Sequence, residues 1–221
     1  MSGDIKMNSV QKQGLIMETL TPSERRYQKK RQEILDAART LLVQGGVDAI
    51  SMRILADKVD YSVGALYKYF ASKAEIIEAL RQDALELMAN FQPEMPEGLS
   101  LGEMFVHSGK NYIQFASQYP EHYQLIMSSS ATGPANMDEF VASPDFRELH
   151  EFVKIALAAG EFELPEGYDS FHLALLSWFM VHGISLLKLT MMSNFQDEFE
   201  EASIEVIEMV KEVFTKNKEI L

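Results

Sequence analysis

Apolar positions recur at helical spacing along most of the chain, and no stretch alternates as a strand would. Ile34, Leu35, Ala37, Ala38, Leu41 and Leu42 predict a helix over 27–44, entered through the basic run RRYQKKR and stopped by Gly45-Gly46. Ser51 stands where an N-cap belongs, ahead of Met52, Leu55, Ala56 and Val59, which predicts a second helix of about two turns. Asp60 tolerates left-handed backbone angles and so can turn the chain; Ser62 then caps a short helix running through Phe70. Ser72 caps a longer helix whose stripe is Ile76, Ile77, Leu80, Ala84, Leu87, Met88 and Phe91, ended by PEMPEG at 93–98. Beyond it, helices are predicted near 100–118, 120–129, 144–159, 168–192 and 197–217, broken at Pro120, at 131–143, at 160–167 and near Asn194.

The fold class is therefore all-α. Residues 1–24, without periodicity, read as a flexible N-terminal arm, 25–72 as a three-helix domain, 73–92 as a connecting helix and 93–221 as a C-terminal helical bundle. Two short helices joined by a tight turn and braced by longer neighbours make a helix-turn-helix unit. The stretch DYSVGALYKYFASK (60–73) explains itself in that setting. A recognition helix enters the major groove by its N-terminal end, where bulky side chains would block it. Ser62, Val63, Gly64 and Ala65 are small enough to line the groove, while Leu66 and Phe70, four apart, face inward. Tyr67, Lys68, Tyr69 and Lys73 can reach phosphate oxygens.

Charge sharpens this picture. The net charge is -13, yet 25–81 hold eleven Lys/Arg against seven acids, and 82–221 hold seven against twenty-three. A basic block inside an acidic chain suggests a polyanion partner confined to one end; a solvated basic helix face is the other reading. The chain has no cysteine, which excludes disulfides and thiolate metal sites and fits a reducing compartment. No apolar leader is present in the first twenty residues, and the expected location is the cytoplasm. The uncharged run 170–187 reaches the lower length for a membrane span, but His172, Ser177, His182, Gly183 and Ser185 interrupt it, and a helix buried inside the protein is expected instead. No HExxH, GxxxxGK-[ST] or GxSxG motif occurs, and the five histidines show no metal-ligand spacing; neither catalysis, a cofactor nor a metal is expected.

Residues 31–73 resemble the DNA-binding motif of the TetR family of bacterial transcriptional repressors: Ile34-Leu35-x-Ala37-Ala38, Gly45-Gly46, Ser51 with Leu55-Ala56, then Ser62-x-Gly64-x-Leu66-Tyr67-x-Tyr69-Phe70-x-x-Lys73. Val59, Asp60 and Tyr61 depart from the family's usual Ala-Gly-Val. Trp178-x-x-x-His182-Gly183, preceded by Tyr119-Pro120-x-x-Tyr123-x-Leu125-Ile126-Met127, is similar to the Trp-His-Gly subtype of the family's regulatory domain. The resemblance implies a small-molecule pocket and a homodimer built from the last two long helices. It also implies a ligand-responsive regulator, expected to be a repressor, that binds a palindromic operator in double-stranded DNA. Ligand-favoured DNA binding fits equally, and a helical adaptor that has lost DNA binding is the alternative, motivated by Tyr61 and the acidic second half.

Site residues follow. Ser62, Val63, Gly64 and Ala65 would line the groove, with Ser51, Arg53, Tyr67, Tyr69 and Lys73 on the backbone and Arg26, Lys29 and Lys30 on adjacent phosphates. Met104, His107, Tyr112, Phe115, Tyr123, Met127, Trp178, Phe179 and His182 are candidates for the effector, against an ordinary helical core. Ile204, Ile207, Val210, Lys211 and Phe214 form one stripe on the last helix and would carry the dimer together with 170–190, unless that stripe packs internally.

Overall fold

The structure is a computed structural model that describes residues 20–91, 95–127, 134–192 and 194–215. Among them lie ten α-helices: α1 (Pro22–Gly45), α2 (Met52–Lys58), α3 (Val63–Leu66), α4 (Lys73–Asn90), α5 (Leu101–Gln118), α6 (Pro120–Met127), α7 (Met137–Val141), α8 (Pro144–Ala158), α9 (Ser170–Leu189) and α10 (Gln196–Phe214). A 3-10 turn at Val47–Ala49 and α7 are the two elements that periodicity did not predict, because neither buries a residue of its own. The described residues divide into two compact units, up to Asp83 and from Ala84, and α4 contributes to both.

The arm expected over 1–24 ends earlier than its pattern implied; residues 1–19 lie outside the described residues. Helix α1 starts at Pro22, where Thr21 and Glu24 form a reciprocal capping box. Its first two turns are exposed, so they carry no apolar signature. In the first unit Ile34, Leu35, Ala38 and Leu42 of α1 bury against Leu55 and Ala56 of α2, Leu66 of α3, Phe70, and Ile76 and Leu80 of α4. Arg39 of α1 grips Asp83 of α4 at 2.6 Å, and Arg31 pairs with Glu75 at 3.6 Å while lying over the Phe70 ring at 4.3 Å.

The second unit has its main core where Phe105, Val106 and Ile113 of α5 meet Phe146, Val153 and Ala156 of α8, Leu173 and Ala174 of α9, and Ile207 of α10. Asp169 caps α9 through the amides of Phe171 and His172. By length and composition α9 is the one helix among the described residues apolar enough to cross a membrane; here it packs on α5, α8 and α10.

The last helix corrects the expected interface. Ile207 is fully buried, its methyls within 3.5 Å of the position a side chain at Gly109 would take, and Val210 and Phe214 pack on the same core. Lys211 lies over Gly102 beside Glu208, and Ile204 is half-buried. That stripe packs internally, Ile207 against Gly109 and Lys211 against Gly102 of α5. The apolar residues that α10 leaves in water are Val206, Met209 and Val213, the last 67% exposed.

Truncating Ile207 to alanine is expected to cost about 2–5 kcal/mol of unfolding free energy, as for other buried aliphatic deletions. Denaturant titration checks this, and a loss below about 1 kcal/mol would place the side chain outside the core.

Candidate functional site

In the first unit, the recognition segment is tighter than its sequence predicted. The α-helix spans only Val63–Leu66 rather than continuing to Phe70; the chain then goes on through turns in which the amides of Lys68 and Tyr69 reach the carbonyls of Ala65 and Leu66. Ser51 and Ser62 are N-caps, their hydroxyls accepting from the amides of Ile54 and Ala65 at 3.2 and 3.1 Å. Asp60 sits at φ 55°, the left-handed position that reverses the chain, and lets the Tyr61 amide reach back to the Ala56 carbonyl at 2.8 Å.

What faces outward at this end is small. Ser62, Val63 and Gly64 are exposed and Ala65 is half-buried, while Leu66 and Phe70 are fully buried behind them. A side chain added at Gly64 would meet nothing within 4 Å, so nothing in the folded chain itself demands glycine there. In the same unit Arg26, Lys29, Arg53 and Tyr67 are exposed. No ion pair joins those three cations to another described residue.

Three other candidates are occupied within the fold. Lys73 donates to the Val47 carbonyl at 3.0 Å, bracing the 3-10 turn. Lys30 pairs with Glu33 at 2.9 Å and lies 5.1 Å from the centre of the Tyr61 ring. Tyr69 is half-buried between Tyr27, at 5.0 Å between ring centres, and Tyr61, at 6.2 Å. Tyr61 therefore belongs to an aromatic stack with α1, and the Tyr27 hydroxyl completes it by donating to the Lys68 carbonyl at 3.3 Å. Sequence reasoning missed this stack because Tyr27 lies more than thirty positions from both Tyr61 and Tyr69.

In the second unit, four of the expected effector residues meet. Tyr112 of α5 places its hydroxyl 3.2 and 3.3 Å from the two ring nitrogens of His182 on α9. Tyr123 of α6 donates to the His182 carbonyl at 3.4 Å, and the Trp178 ring lies 4.3 Å from the imidazole. Phe140 and Phe146 close on the far side of Trp178 at 5.6 and 5.8 Å, residues that no local motif marked. Burial pulls the His182 imidazole down to about 4, so it is neutral near pH 7, and burial raises the Tyr112 and Tyr123 phenols, which stay protonated.

The remaining candidates disperse. Phe115 packs in a second cluster with Phe91 and Tyr119 and borders a cavity of about 160 Å³ lined also by Met88, Met95, Ser108, Asn111 and Tyr112. His107 has a buried Nε2 without a hydrogen-bond partner among the described residues, and Met104 is half-buried. Met127 ends α6 in solvent, and Phe179 is 61% exposed, pointing away from the Trp178–His182 pair beside it in sequence. Helical geometry explains the split: a step of one residue rotates a side chain by about 100°. No cluster of metal-ligating side chains occurs among the described residues.

Comparison with known proteins decides the family. Residues 34–80 match the family model for bacterial regulatory proteins of the tetR family, and residues 105–211 match a tetracyclin repressor-like C-terminal domain. The chain belongs to the TetR family. The HTH-type transcriptional repressor KstR of Mycobacterium tuberculosis is 36% identical over 74 residues, 34% of this chain and 33% of that protein. An uncharacterized HTH-type transcriptional regulator of Haemophilus influenzae is 23% identical over 124 residues, 56% of this chain and 60% of that protein. The chain thus spans about a third of the KstR relative and about three fifths of the Haemophilus protein. Among solved structures, a Rhodococcus protein of unknown function aligns with a TM-score of 0.66 at 22% identity, covering 84% of this chain and 95% of that one. A TetR-family regulator from Chloroflexus aurantiacus aligns at 0.59 and 15% identity, covering 91% and 98%. At such identities these structures establish the shared all-helical fold.

Because His182 is neutral when folded and takes a proton near 6.5 when unfolded, the unfolded chain binds the extra proton, so stability is full above about pH 6.5 and falls as the pH drops toward 4. The loss reaches about 2 kcal/mol by pH 5, and His182→Gln should flatten that part of a stability profile measured by denaturant titration. An unchanged slope would mean the imidazole is not desolvated.

Proposed function

We propose that this TetR-family chain is a ligand-responsive regulator that binds operator DNA through α3 and the exposed start of α1, as a homodimer, in the cytoplasm. The observation that carries the reading is the exposed, unobstructed Gly64 on a helix anchored from behind by Leu66 and Phe70. The fold leaves room there for something outside the chain to approach the backbone. Ser62, Val63, Gly64 and Ala65 would enter the groove, and Arg26, Lys29, Arg53 and Tyr67 would hold phosphates. Ser51, Lys30, Tyr69 and Lys73 act mainly by shaping that surface, since each is already bonded or packed within it. Members of this family are non-enzymatic DNA-binding proteins.

The Tyr61 stack argues against the adaptor alternative, because it packs the departing residue onto α1 instead of across the outward face. For the dimer, the supporting observations are the apolar residues left exposed on α9, Leu176, Phe179 and Leu186, with Gly183 open among them, and on α10, Val206, Met209 and Val213. A two-fold axis beside such residues would cover apolar area that one subunit leaves in water. Trp178, His182 and Gly183 support the Trp-His-Gly subtype, with the effector bound in the second unit. Release of DNA requires that the effector bind the non-competent form more tightly than the competent one. Helix α4, which supplies buried Ile76 and Leu80 to the first unit and cavity-lining Met88 and Phe91 to the second, is the physical link available for that coupling.

Replacing Gly64 by alanine separates folding from function. Stability is expected to hold or rise by about 0.5–1 kcal/mol through helix propensity, whereas affinity for the chain's own upstream DNA, read by gel shift, should fall by about tenfold or more. Arg53→Gln should reduce the salt slope of binding by about 1. Unaltered DNA affinity in Gly64→Ala would remove the recognition face from this surface.

A glutamate in place of Phe179 should convert the protein from dimer to monomer in sedimentation at micromolar concentration without unfolding it. Retention of the dimer would move the interface elsewhere.

A further inference from the structure

The cavity between the end of α4 and the middle of α5 has walls of one electrical kind. Met88, Phe91, Met95 and Phe115 supply its apolar surface, and Ser108, Asn111 and Tyr112 supply its polar atoms. No lysine, arginine, aspartate or glutamate is among the described residues that line it. Lys110, the cation nearest to it in sequence, is held by Glu208 at 2.8 Å. Behind the wall, Tyr112 connects the cavity to His182, and Tyr123 and Trp178 pack around that imidazole.

We propose that this cavity takes an uncharged effector of about one ring in size, mostly apolar, with an alcohol, phenol or carbonyl oxygen that hydrogen-bonds to Tyr112, and that it excludes the corresponding carboxylates and amines. The proposal rests on the effector-binding reading above and names the chemistry of that site. A cavity of roughly 150 Å³ holds a benzene-sized ring, and this one is about 160 Å³. Selection against ions follows from partial desolvation: a charge brought from water against these walls gives up part of its hydration and meets no countercharge among the described residues that line them. The neutral His182 cannot supply one, and the Asp145 carboxylate, which helps raise the Tyr112 phenol, disfavours further negative charge nearby.

The oxygen is placed by valence arithmetic. Neutral imidazole has one N–H and one bare nitrogen. If Tyr112 donates to the bare nitrogen, its lone pairs are left for a ligand hydroxyl; if it accepts the N–H, its own proton is left for a ligand carbonyl. Either arrangement leaves the phenol one hydrogen bond to make with the effector, accepting in the first and donating in the second, so a hydroxyl fits both and a carbonyl fits the second. Met88 and Met95, flexible and polarizable, let the apolar end vary in shape.

The test is calorimetric titration of the full-length protein with four single-ring probes: 4-ethylphenol, acetophenone, benzoate and benzylammonium at pH 7.5. The first two should bind at least tenfold more tightly than the last two. Tyr112→Phe, which keeps the ring, should weaken 4-ethylphenol and acetophenone about fivefold, one neutral hydrogen bond. Ser108→Arg, which places a cation on the cavity wall, should reverse the preference toward benzoate. Benzoate or benzylammonium binding the unaltered protein as tightly as the neutral probes would overturn the proposal, as would binding of none of the four or indifference to both substitutions. The same titrated protein, assayed by gel shift on its upstream DNA, keeps the two readings apart. Neutral probes that bind without changing DNA affinity leave the chemistry of the cavity standing and remove its regulatory role, whereas absence of DNA binding removes the regulator reading alone.

Discussion

A helix of four residues cannot hold itself together in water, where nucleation alone is unfavourable and isolated helices need roughly 12–15 residues to be marginal. Helix α3, Val63–Leu66, exists because its surroundings impose it. Leu66 and Phe70 are buried under α1, α2 and α4; the serine cap satisfies its first turn; and Tyr69 is held between Tyr27 and Tyr61. Every outward property of this end of the unit depends on that anchoring from behind. Because the holding contacts all lie on one side, the other side can be left bare, with serine, valine, glycine and alanine in sequence.

The second unit solves a different problem. It buries aromatic and aliphatic side chains from four helices, and inside that apolar shell it keeps a small polar set, Tyr112, Tyr123 and His182, in mutual hydrogen-bonding reach. Each polar group is neutral near pH 7, the phenols by their ordinary chemistry and the imidazole because burial lowers it, so the set costs far less than an ion pair would. The charged contacts lie elsewhere. Lys188 of α9, itself buried, is closed off by Glu200 of α10, and Lys110 of α5 by Glu208. These two ion pairs join helices, and neither contributes a residue to the described lining of the cavity.

Much of the first unit was legible in the chain itself. The caps Ser51 and Ser62, the left-handed Asp60 and the inward pair Leu66 and Phe70 all stand where local rules place them. Those rules involve neighbours within four residues, which a sequence displays directly. Other contacts lay beyond those rules. Lys30, Tyr69 and Lys73 meet Tyr61, Tyr27 and Val47, residues that the fold brings to them. In the last helix, two stripes of apolar residues exist, and the sequence could not say which one met α5.

The sequence by itself determined the helical class, the approximate elements, the helix-turn-helix register and the family motif, because each rests on periodicity or on short-range capping. It also brought Trp178 and His182 onto one face of a helix, since residues four apart must be neighbours there. Only the tertiary structure decided that Ile207, Val210 and Phe214 face the core while Val206, Met209 and Val213 face water, and that Phe140 and Phe146 close on Trp178. It decided, too, that Tyr61 leans on α1. Such choices turn on which distant surface approaches a helix, and a helix's own spacing is blind to what lies across from it.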